Sequence, residues 1–256
     1  MTFATAEIIP WGWLLARAGG FMIIWPLTGG GWVPARAKMA VALVLTILGG
    51  SQIQPSWAEA AGDQLLGTLM GEFFIGFFMG FGVRLVFVIL EVGGHIIAME
   101  MGLAMAQSFN PASNSTATVI ETFAYFWGLC LAVVTGWYRE SIGYWVLSYQ
   151  FYPPGEWTQV MDGIAGLPRV FAHVFTMGVQ MSAPVMAIII LLNLTFAFLG
   201  KVAPQVNVLM LSFSVRIIFG LFALVACVLL ARALFLEASS WILPYTVQPS
   251  ILTGAR

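Results

Sequence analysis

Apolar residues run along this chain in long segments, and polar residues are gathered into short connections between them. Apolar segments of this length are typical of helices that cross or lie within a membrane. The pattern therefore predicts an all-α fold built from long helices. The predicted helical segments are residues 11–27, 39–49, 65–106, 119–137, 142–151, 170–200 and 206–243.

The segment 65–106 is too long for one ordinary membrane span. A helix over all of it would reach roughly 63 Å, about twice the thickness of a bilayer core. We therefore expect this segment to protrude from the membrane, to bend or to break. The adjacent glycines Gly93 and Gly94 mark the predicted position of a bend or break.

Other glycines of the same segment are spaced for close helix contacts. Gly67 and Gly71 form one pair of small residues four positions apart, and Gly76 and Gly80 form another. By helical angle the two pairs lie on opposite faces, so the helix is expected to pack closely against neighbours on both sides.

The composition places the chain among polytopic membrane proteins. Hydrophobic residues make up 60% of its 256 positions and charged residues 8%, against about 25% charged residues in ordinary soluble domains. The formal net charge is −1, which does not indicate attraction to nucleic acid. We predict a polytopic membrane protein of helical hairpins and long helices broken by glycine and proline, with no nucleic-acid partner.

A short polar island interrupts this apolar chain between two predicted helices. The ring of Pro111 disfavours helical geometry at Asn110, and serine and asparagine side chains bond to nearby backbone groups in turns. Non-helical backbone at membrane depth is tolerated only inside protein or beside water. The sequence therefore predicts a loop turned inward, towards a pore. Its residues are Gln107, Ser108, Phe109, Asn110, Pro111, Ala112, Ser113, Asn114, Ser115 and Thr116.

Three ionisable residues form a polar stripe along segment 65–106. Arg84, Glu91 and His95 are separated by seven and four positions, which places them within about 20° of one helix face. Charges in lipid are costly, so the stripe is expected to face protein or water. Two interpretations are open, a structural seam between helices and a path for protons or substrate. Glu72, Glu100 and Glu121 lie off this face or helix and are assigned no role.

The last two apolar segments predict a helical hairpin with its tip near residues 201–205. Residues 170–200 carry no Asp, Glu, Lys or Arg, and a proline in their middle is expected to kink the helix. Arg216 and Arg232 lie about 160° apart around the second helix, so they cannot share a partner face. The candidate hairpin and packing residues are Pro184, Lys201, Pro204, Gln205, Asn207 and Arg216.

The sequence offers no arrangement typical of catalysis or cofactor binding. We find no glycine-rich phosphate loop, nucleophile elbow or zinc-protease pair. The two cysteines and two histidines have no matching ligands at metal-binding spacing. We therefore expect no enzymatic activity, no cofactor and no metal site.

Several stretches taken together resemble one protein family. They are Arg17-Ala18-Gly19 followed by Pro26, the sequence Val33-Pro34-Ala35-Arg36, the run 71–111, the pair Ala183-Pro184 and the segment KVAPQVNV at 201–208. In this order and over nearly the whole chain they are similar to the FliR family, the R subunit of the bacterial flagellar type III export gate.

This resemblance implies a structural subunit of a protein-conducting pore. Members of the family assemble with P and Q subunits in the inner membrane, at the flagellar basal body, where unfolded flagellar proteins are exported. The export-switch B subunit and the channel A subunit are further implied partners. About residues 1–140 would resemble the P subunit and about 165–256 the Q subunit, within one membrane domain spanning 1–256. The loop at 107–118 would help to plug the closed pore.

Two alternatives stay open at the level of sequence. The homologous T subunit of a virulence injectisome would have the same architecture and a different cargo. A secondary transporter would instead use Arg84, Glu91 and the break at Pro184 as ligands for substrate or protons. The absence of a visible inverted repeat argues against the transporter.

Overall fold

The computed structural model describes residues 2–29, 33–53, 57, 65–103, 118–155, 159–205 and 207–247. In these ranges the regular structure is helical, which confirms the predicted all-α class. The helices are α1 (Thr2–Ile24), α2 (Pro26–Gly29), α3 (Ala35–Gly49), α4 (Leu65–Glu100), α5 (Val119–Val134), α6 (Trp137–Phe151), α7 (Gln159–Val202) and α8 (Val208–Val247), with a 3₁₀ turn at Gly50–Gln52.

Three of these helices are long and apolar enough to cross a membrane. They are α4, the part of α7 from Ile164 to Val202, and α8. The pair α5–α6 has the same character when taken together, although it bends by 73° at a short break. Gly136 lies at this break with a φ of 74°, a left-handed conformation that glycine adopts without steric cost. The predicted polytopic membrane protein is therefore confirmed.

Helix α4 runs without interruption past Gly93 and Gly94. Of the three alternatives predicted for this segment, a break there is therefore wrong, while protrusion from the membrane stays a prediction. A Cβ atom on Gly93 would lie 2.7 Å from the sulfur of Met181, and one on Gly94 would lie 3.0 Å from the Cβ of Ala124. The two glycines therefore admit close neighbours from α7 and α5, rather than breaking the helix. The helix ends near Gly102, whose φ is 78°.

The chain forms two compact units, and several helices contribute to both. Unit 1 comprises Met1–Val86, Ala132–Phe171 and Ser239–Arg256. Unit 2 comprises Phe87–Leu131 and Ala172–Ala238. The sequence-based division into a P-like part and a Q-like part is a different partition of the chain, and it stays a prediction.

Unit 1 is built on the contact between α1 and the first half of α4. A Cβ atom on Gly76 would lie 1.9 Å from the carbonyl oxygen of Arg17, and one on Gly80 would lie 2.6 Å from that of Phe21. On the opposing helix, a Cβ on Gly20 would lie 2.2 Å from the carbonyl oxygen of Phe73. Gly76 lies against Arg17, and Gly80, further along α4, lies against Phe21, further along α1. The two helices therefore run parallel. The predicted close packing at the pair Gly76/Gly80 is confirmed.

Unit 2 is built from the second half of α4, α5 and a hairpin of α7 and α8. Gly178 of α7 lies against Val92 of α4. The ring of Phe87 lies edge-on to that of Phe235, with 5.8 Å between centroids. The thiol of Cys227 contacts the backbone of Val185.

The hairpin is antiparallel. A Cβ on Gly200 would lie 3.9 Å from the side chain of Val208 at the turn, while Cys227 of α8 pairs with Val185 of α7 further along. The predicted hairpin, with its tip near 201–205, is confirmed by the ends of α7 and α8.

We predict that Gly76→Ala lowers the stability of unit 1, because the added methyl group overlaps backbone atoms of α1 that cannot rotate away. The expected loss in the free energy of unfolding is about 1–3 kcal/mol, measured as a lower thermal midpoint of the purified protein in detergent.

Gly67→Ala is the matched control on the same helix, since nothing lies within 4 Å of a Cβ at Gly67. There we expect no loss, or a gain of about 0.5–1 kcal/mol from the better helix former. Equal effects at the two positions would contradict the close contact at Gly76.

Candidate functional site

The predicted pore loop, Gln107 to Thr116, lies outside the described residues, which stop at Leu103 and resume at Thr118. The described structure therefore gives the two flanks of this site, at the end of α4 and at the start of α5. Both flanks belong to unit 2.

The upstream flank is a left-handed turn held against α8. The N–H of Gly102 donates to the carbonyl of Met99 at 3.0 Å, and a Cβ on Gly102 would lie 3.1 Å from the ring of Phe213. Met101 is fully buried, and its side chain fills the space that a Cβ on Gly220 would need. The end of α4 therefore has a fixed position in unit 2.

The downstream flank is a capping box at the start of α5. The N–H of Glu121 donates to the hydroxyl of Thr118 at 3.2 Å, and the N–H of Thr118 donates in return to Oε2 of Glu121. This reciprocal pair satisfies backbone donors that the first turn of a helix otherwise leaves unpaired. It fixes the residue at which the chain enters α5.

Glu121 also connects α5 to α4. Its second carboxylate oxygen, Oε1, lies 2.5 Å from Nδ1 of His95. One carboxylate therefore caps α5 and contacts the neighbouring helix, within unit 2. The side chain of His95 is 52% exposed and that of Glu121 is 17% exposed.

The other members of the predicted polar stripe occupy different surroundings. Arg84 is half-buried and belongs to the part of α4 in unit 1, while Glu91 is half-buried in unit 2. The contact of His95 with Glu121 supports neither interpretation over the other. The sequence reasoning gave Glu121 no role, although Thr-x-x-Glu before an apolar run is a recognisable capping signal.

A second polar site, which the sequence did not predict, lies in the interior of unit 1. Arg17 of α1 and Glu72 of α4 are 0% and 1% exposed, and Nε of Arg17 donates to Oε2 of Glu72 at 2.6 Å. Two further N–H donors of the guanidinium, one on each Nη atom, reach α6 and its end. Nη1 donates to the hydroxyl of Ser148 at 2.9 Å, and Nη2 donates to the carbonyl of Tyr152 at 2.7 Å.

The ring of Tyr149 completes this cluster, with its centroid 4.0 Å from the guanidinium carbon of Arg17. Ser148 in turn donates to the carbonyl of Trp145 at 2.6 Å. A buried charge is tolerated only when it is paired and hydrogen-bonded. The arrangement meets both conditions, so the cluster ties α1, α4 and α6 together. A lone arginine in an apolar segment signals that a partner exists, but sequence could not select Glu72 among eleven acidic residues.

The predicted hairpin residues are divided between the turn and the helices. Asn207 caps α8, since its side-chain oxygen accepts the N–H of Met210 at 3.3 Å. Pro184 lies half-buried within α7 and Arg216 half-buried within α8. Lys201, Pro204 and Gln205 are exposed at and after the end of α7.

An apolar cavity of about 620 Å³ lies in unit 1, beside the first half of α4. No titratable side chain lines it, so the cavity by itself offers no acid, base or nucleophile. Among the described residues, no group of three or more His, Cys, Asp or Glu side chains is placed to hold a metal ion. The lining residues are Gly67, Met70, Gly71, Phe74, Ile75, Phe77, Phe78, Phe81, Ile164 and Leu167.

We predict that Arg17→Met and Glu72→Leu each destabilise the protein by about 3–5 kcal/mol, because each leaves an unpaired charge in the interior. The double variant is expected to lose less than either single variant, since it removes both charges. Thermal midpoints of the four proteins in detergent form the double-mutant cycle that checks this.

Arg36→Met is the control, because Arg36 is an exposed arginine at the start of α3 and its loss should change stability by less than about 0.5 kcal/mol. Additive effects in the cycle would show that the Arg17–Glu72 contact is not the source of the loss.

Comparison with known proteins identifies the family. The sequence matches the family described as bacterial export proteins, family 1, over residues 8–240. It is similar to the flagellar biosynthetic protein FliR of Caulobacter vibrioides, with 29% identity over 226 residues that cover 86% of this chain and 88% of the relative.

Two further relatives carry the same name. The protein from Escherichia coli K12 is 23% identical over 209 residues, covering 82% of this chain and 80% of the relative. The protein from Aquifex aeolicus is 26% identical over 210 residues, covering 81% of each. Since the family match covers most of the chain, including Arg17 of α1 and the helices that flank the predicted pore loop, the chain belongs to bacterial export proteins, family 1, as a member of the FliR family.

Proposed function

We propose that this protein is a structural, pore-forming subunit of the bacterial flagellar type III export gate, which assembles with P and Q subunits to translocate unfolded flagellar proteins. Family membership and the apolar helices make it an integral membrane component of a flagellar export apparatus. Assembly with P and Q, pore formation and location in the inner membrane at the basal body are parts of the proposal. Contacts with the B and A subunits are also proposed.

The observation that carries the proposal is the apolar surface of the hairpin α7–α8. The most apolar stretch of α7 is 11% buried and that of α8 is 28% buried, against 67% for α4. An exposed apolar surface of this extent requires lipid or protein around it. Large exposed side chains occur along both arms, including Leu191, Leu194, Phe198, Leu209, Phe222, Val225 and Leu229.

Neighbouring subunits explain this surface better than lipid alone. The part of α7 from Ile164 to Val202 continues over 39 residues and α8 over 40, about 60 Å each at 1.5 Å per residue. A bilayer core needs about 20 helical residues. We infer that part of each arm lies beside other helical subunits, as the proposed Q-like role of about residues 165–256 requires.

The proposed plug rests on the flanks of the polar loop. The end of α4 and the start of α5 have fixed positions in unit 2, through Gly102 and through the contact of His95 with Glu121. Loop 107–118 would therefore be presented from a rigid base, where its polar residues could close a water-filled path. The names of the relatives favour a flagellar apparatus over the injectisome. The cavity beside the first half of α4 is lined by apolar residues and glycines, so it offers no support for a transporter site.

We predict that a tagged copy purified from native membranes brings down two other small hydrophobic proteins, the P and Q subunits. Leu194→Glu and Phe222→Glu place a charge on exposed apolar positions of α7 and α8, and each should reduce recovery of the partners at least tenfold. Quantitative mass spectrometry of the purified material measures the ratio.

Glu140→Gln, at an exposed position near the start of α6, is the control and should leave recovery unchanged. Isolation of this protein by itself, under detergent conditions that preserve other membrane complexes, would contradict the proposed subunit.

We further predict that deletion of residues 110–116 makes the cell membrane permeable to small ions while the complex still assembles. Removing the polar loop opens the path that it is proposed to fill, and the effect is measured as faster collapse of an imposed ion gradient. Replacement of the same residues by an equally long Gly-Ser segment tests whether the particular side chains are needed. A membrane that stays tight, with full export of flagellar proteins, would refute the plug.

A further inference from the structure

Helix α3 is packed in unit 1 along one face and exposed along the other. On the packed face, a Cβ on Gly49 would lie 3.0 Å from the side chain of Leu14 of α1, and Ala42, Leu45 and Thr46 are also buried. The exposed face carries large apolar side chains, each between 52% and 69% exposed. They are Met39, Leu43, Val44, Ile47 and Leu48. Such a row of apolar side chains requires lipid or protein to cover it.

A positive charge stands at the beginning of this exposed row. Met39, Leu43 and Ile47 follow Arg36 at steps of three, four and four positions, so the four residues lie within about 80° of one helix face. Arg36 is exposed and Lys38, in the same turn, is half-buried. Within the described ranges neither has an ion-pair partner, and α3 itself carries no acidic residue. The face therefore joins an uncompensated cation to an apolar surface.

The length of the row matches one leaflet of a bilayer. Met39 and Leu48 are nine positions apart, about 14 Å at 1.5 Å rise per residue, whereas the hydrocarbon core is about 30 Å thick. The whole of α3 has 15 residues, fewer than the roughly 20 that a crossing helix needs. Helix α3 can therefore hold its apolar row within one leaflet while Arg36 lies at the level of the lipid headgroups.

The charge at the start of the row favours a lipid over a protein as its cover. An anionic phospholipid presents a negative headgroup next to an apolar chain, which is the order of the complementary groups on α3. The planar guanidinium of arginine suits phosphate oxygens because it can donate two parallel N–H bonds to them. A neighbouring helix could cover the apolar side chains, but it would also have to bring an acidic group to Arg36.

We propose that α3 carries a binding site for an anionic phospholipid, in which Arg36 binds the headgroup and the row from Met39 to Ile47 contacts the acyl chains. Lys38 adds positive potential at the same level, because exposed charges act over about 8–10 Å in physiological salt. The formal net charge of the chain is −1, so this attraction is a local property of α3. The site rests on the membrane location of the protein and is independent of the proposed export function.

The test measures which lipids contact the row. A fluorophore is attached at Leu43→Cys in the full-length protein, after Cys130 and Cys227 are replaced by alanine. The protein, with the proteins that accompany it, is reconstituted into phosphatidylcholine bilayers that contain a minor fraction of phosphatidylglycerol. In parallel samples one lipid or the other carries brominated acyl chains, which quench the fluorophore on contact. We expect phosphatidylglycerol to occupy the contact about three- to tenfold more often than its share of the bilayer, since basic side chains near a membrane surface attract anionic lipid.

Three variants assign this preference to the charge on α3. Arg36→Gln should reduce the preference to less than about twofold, while Arg36→Lys keeps the charge and should retain most of it. Arg169→Gln, which removes an exposed arginine from α7, is the matched control and should leave the preference unchanged. Salt at about 1 M should also reduce the preference in the parent protein, because the screening length falls to about 3 Å.

Three results would overturn the site. Equal quenching by the two brominated lipids would mean that the row meets lipid without recognising the headgroup. The absence of quenching by either lipid would mean that protein covers the row in the assembly. A preference that persists in Arg36→Gln would place the recognition on another part of the chain. Since the measurement follows lipid contact and not export, its outcome is separate from that of the proposed export gate.

Discussion

The guanidinium of Arg17 is a full charge placed where no water reaches it, and unit 1 is arranged around it. Glu72 supplies the opposite charge, Ser148 and the carbonyl of Tyr152 accept two further hydrogen bonds, and the ring of Tyr149 covers one face. Isolated, such a charge would prevent folding. Satisfied in this way, it requires α1, α4 and α6 to meet at one register. A close backbone contact at Gly76 lies directly beside it, so the ion pair and the glycine contact fix the same pair of helices.

The helices of unit 2 are held together by a different kind of contact. Its helix contacts are made by apolar side chains and by glycines, such as Gly178 against Val92, and its hairpin leaves most of its apolar surface uncovered. An exposed apolar surface of this extent needs lipid or other protein chains around it. A polar contact joins α4 to the start of α5, where Glu121 is shared between a helix cap and a histidine. In the part of the molecule proposed to surround the pore, a polar contact therefore holds α4 and α5 together. The apolar side chains along α7 and α8 are exposed, where the proposed partners would bind.

Helix α4 shows where reasoning from sequence succeeded and where it failed. Its length and apolar character could be predicted from the sequence, because both are local properties of the residues. The role of Gly93 and Gly94 could not be predicted, because glycine can either end a helix or allow a neighbouring helix to pack closely. Which of these occurs depends on whether another helix packs there in the folded protein. Met181 of α7 and Ala124 of α5 pack against these glycines, and α4 continues past them. Helix α6 also begins at Trp137 rather than at 142, since the turn at Gly136 is sharp enough to need no longer connection.

The sequence by itself determined the all-α class, the membrane location, the hairpin turn near 201–205 and the family, because these depend on apolar length, breaking residues and ordered motifs along the chain. Tertiary structure decided which charges meet. Arg17 pairs with a residue 55 positions away and His95 with one 26 positions away, and helical periodicity carries no information about separate helices. The predicted stripe of Arg84, Glu91 and His95 grouped residues by one helix face, whereas the contact of His95 was set by Glu121, on the helix that packs beside it.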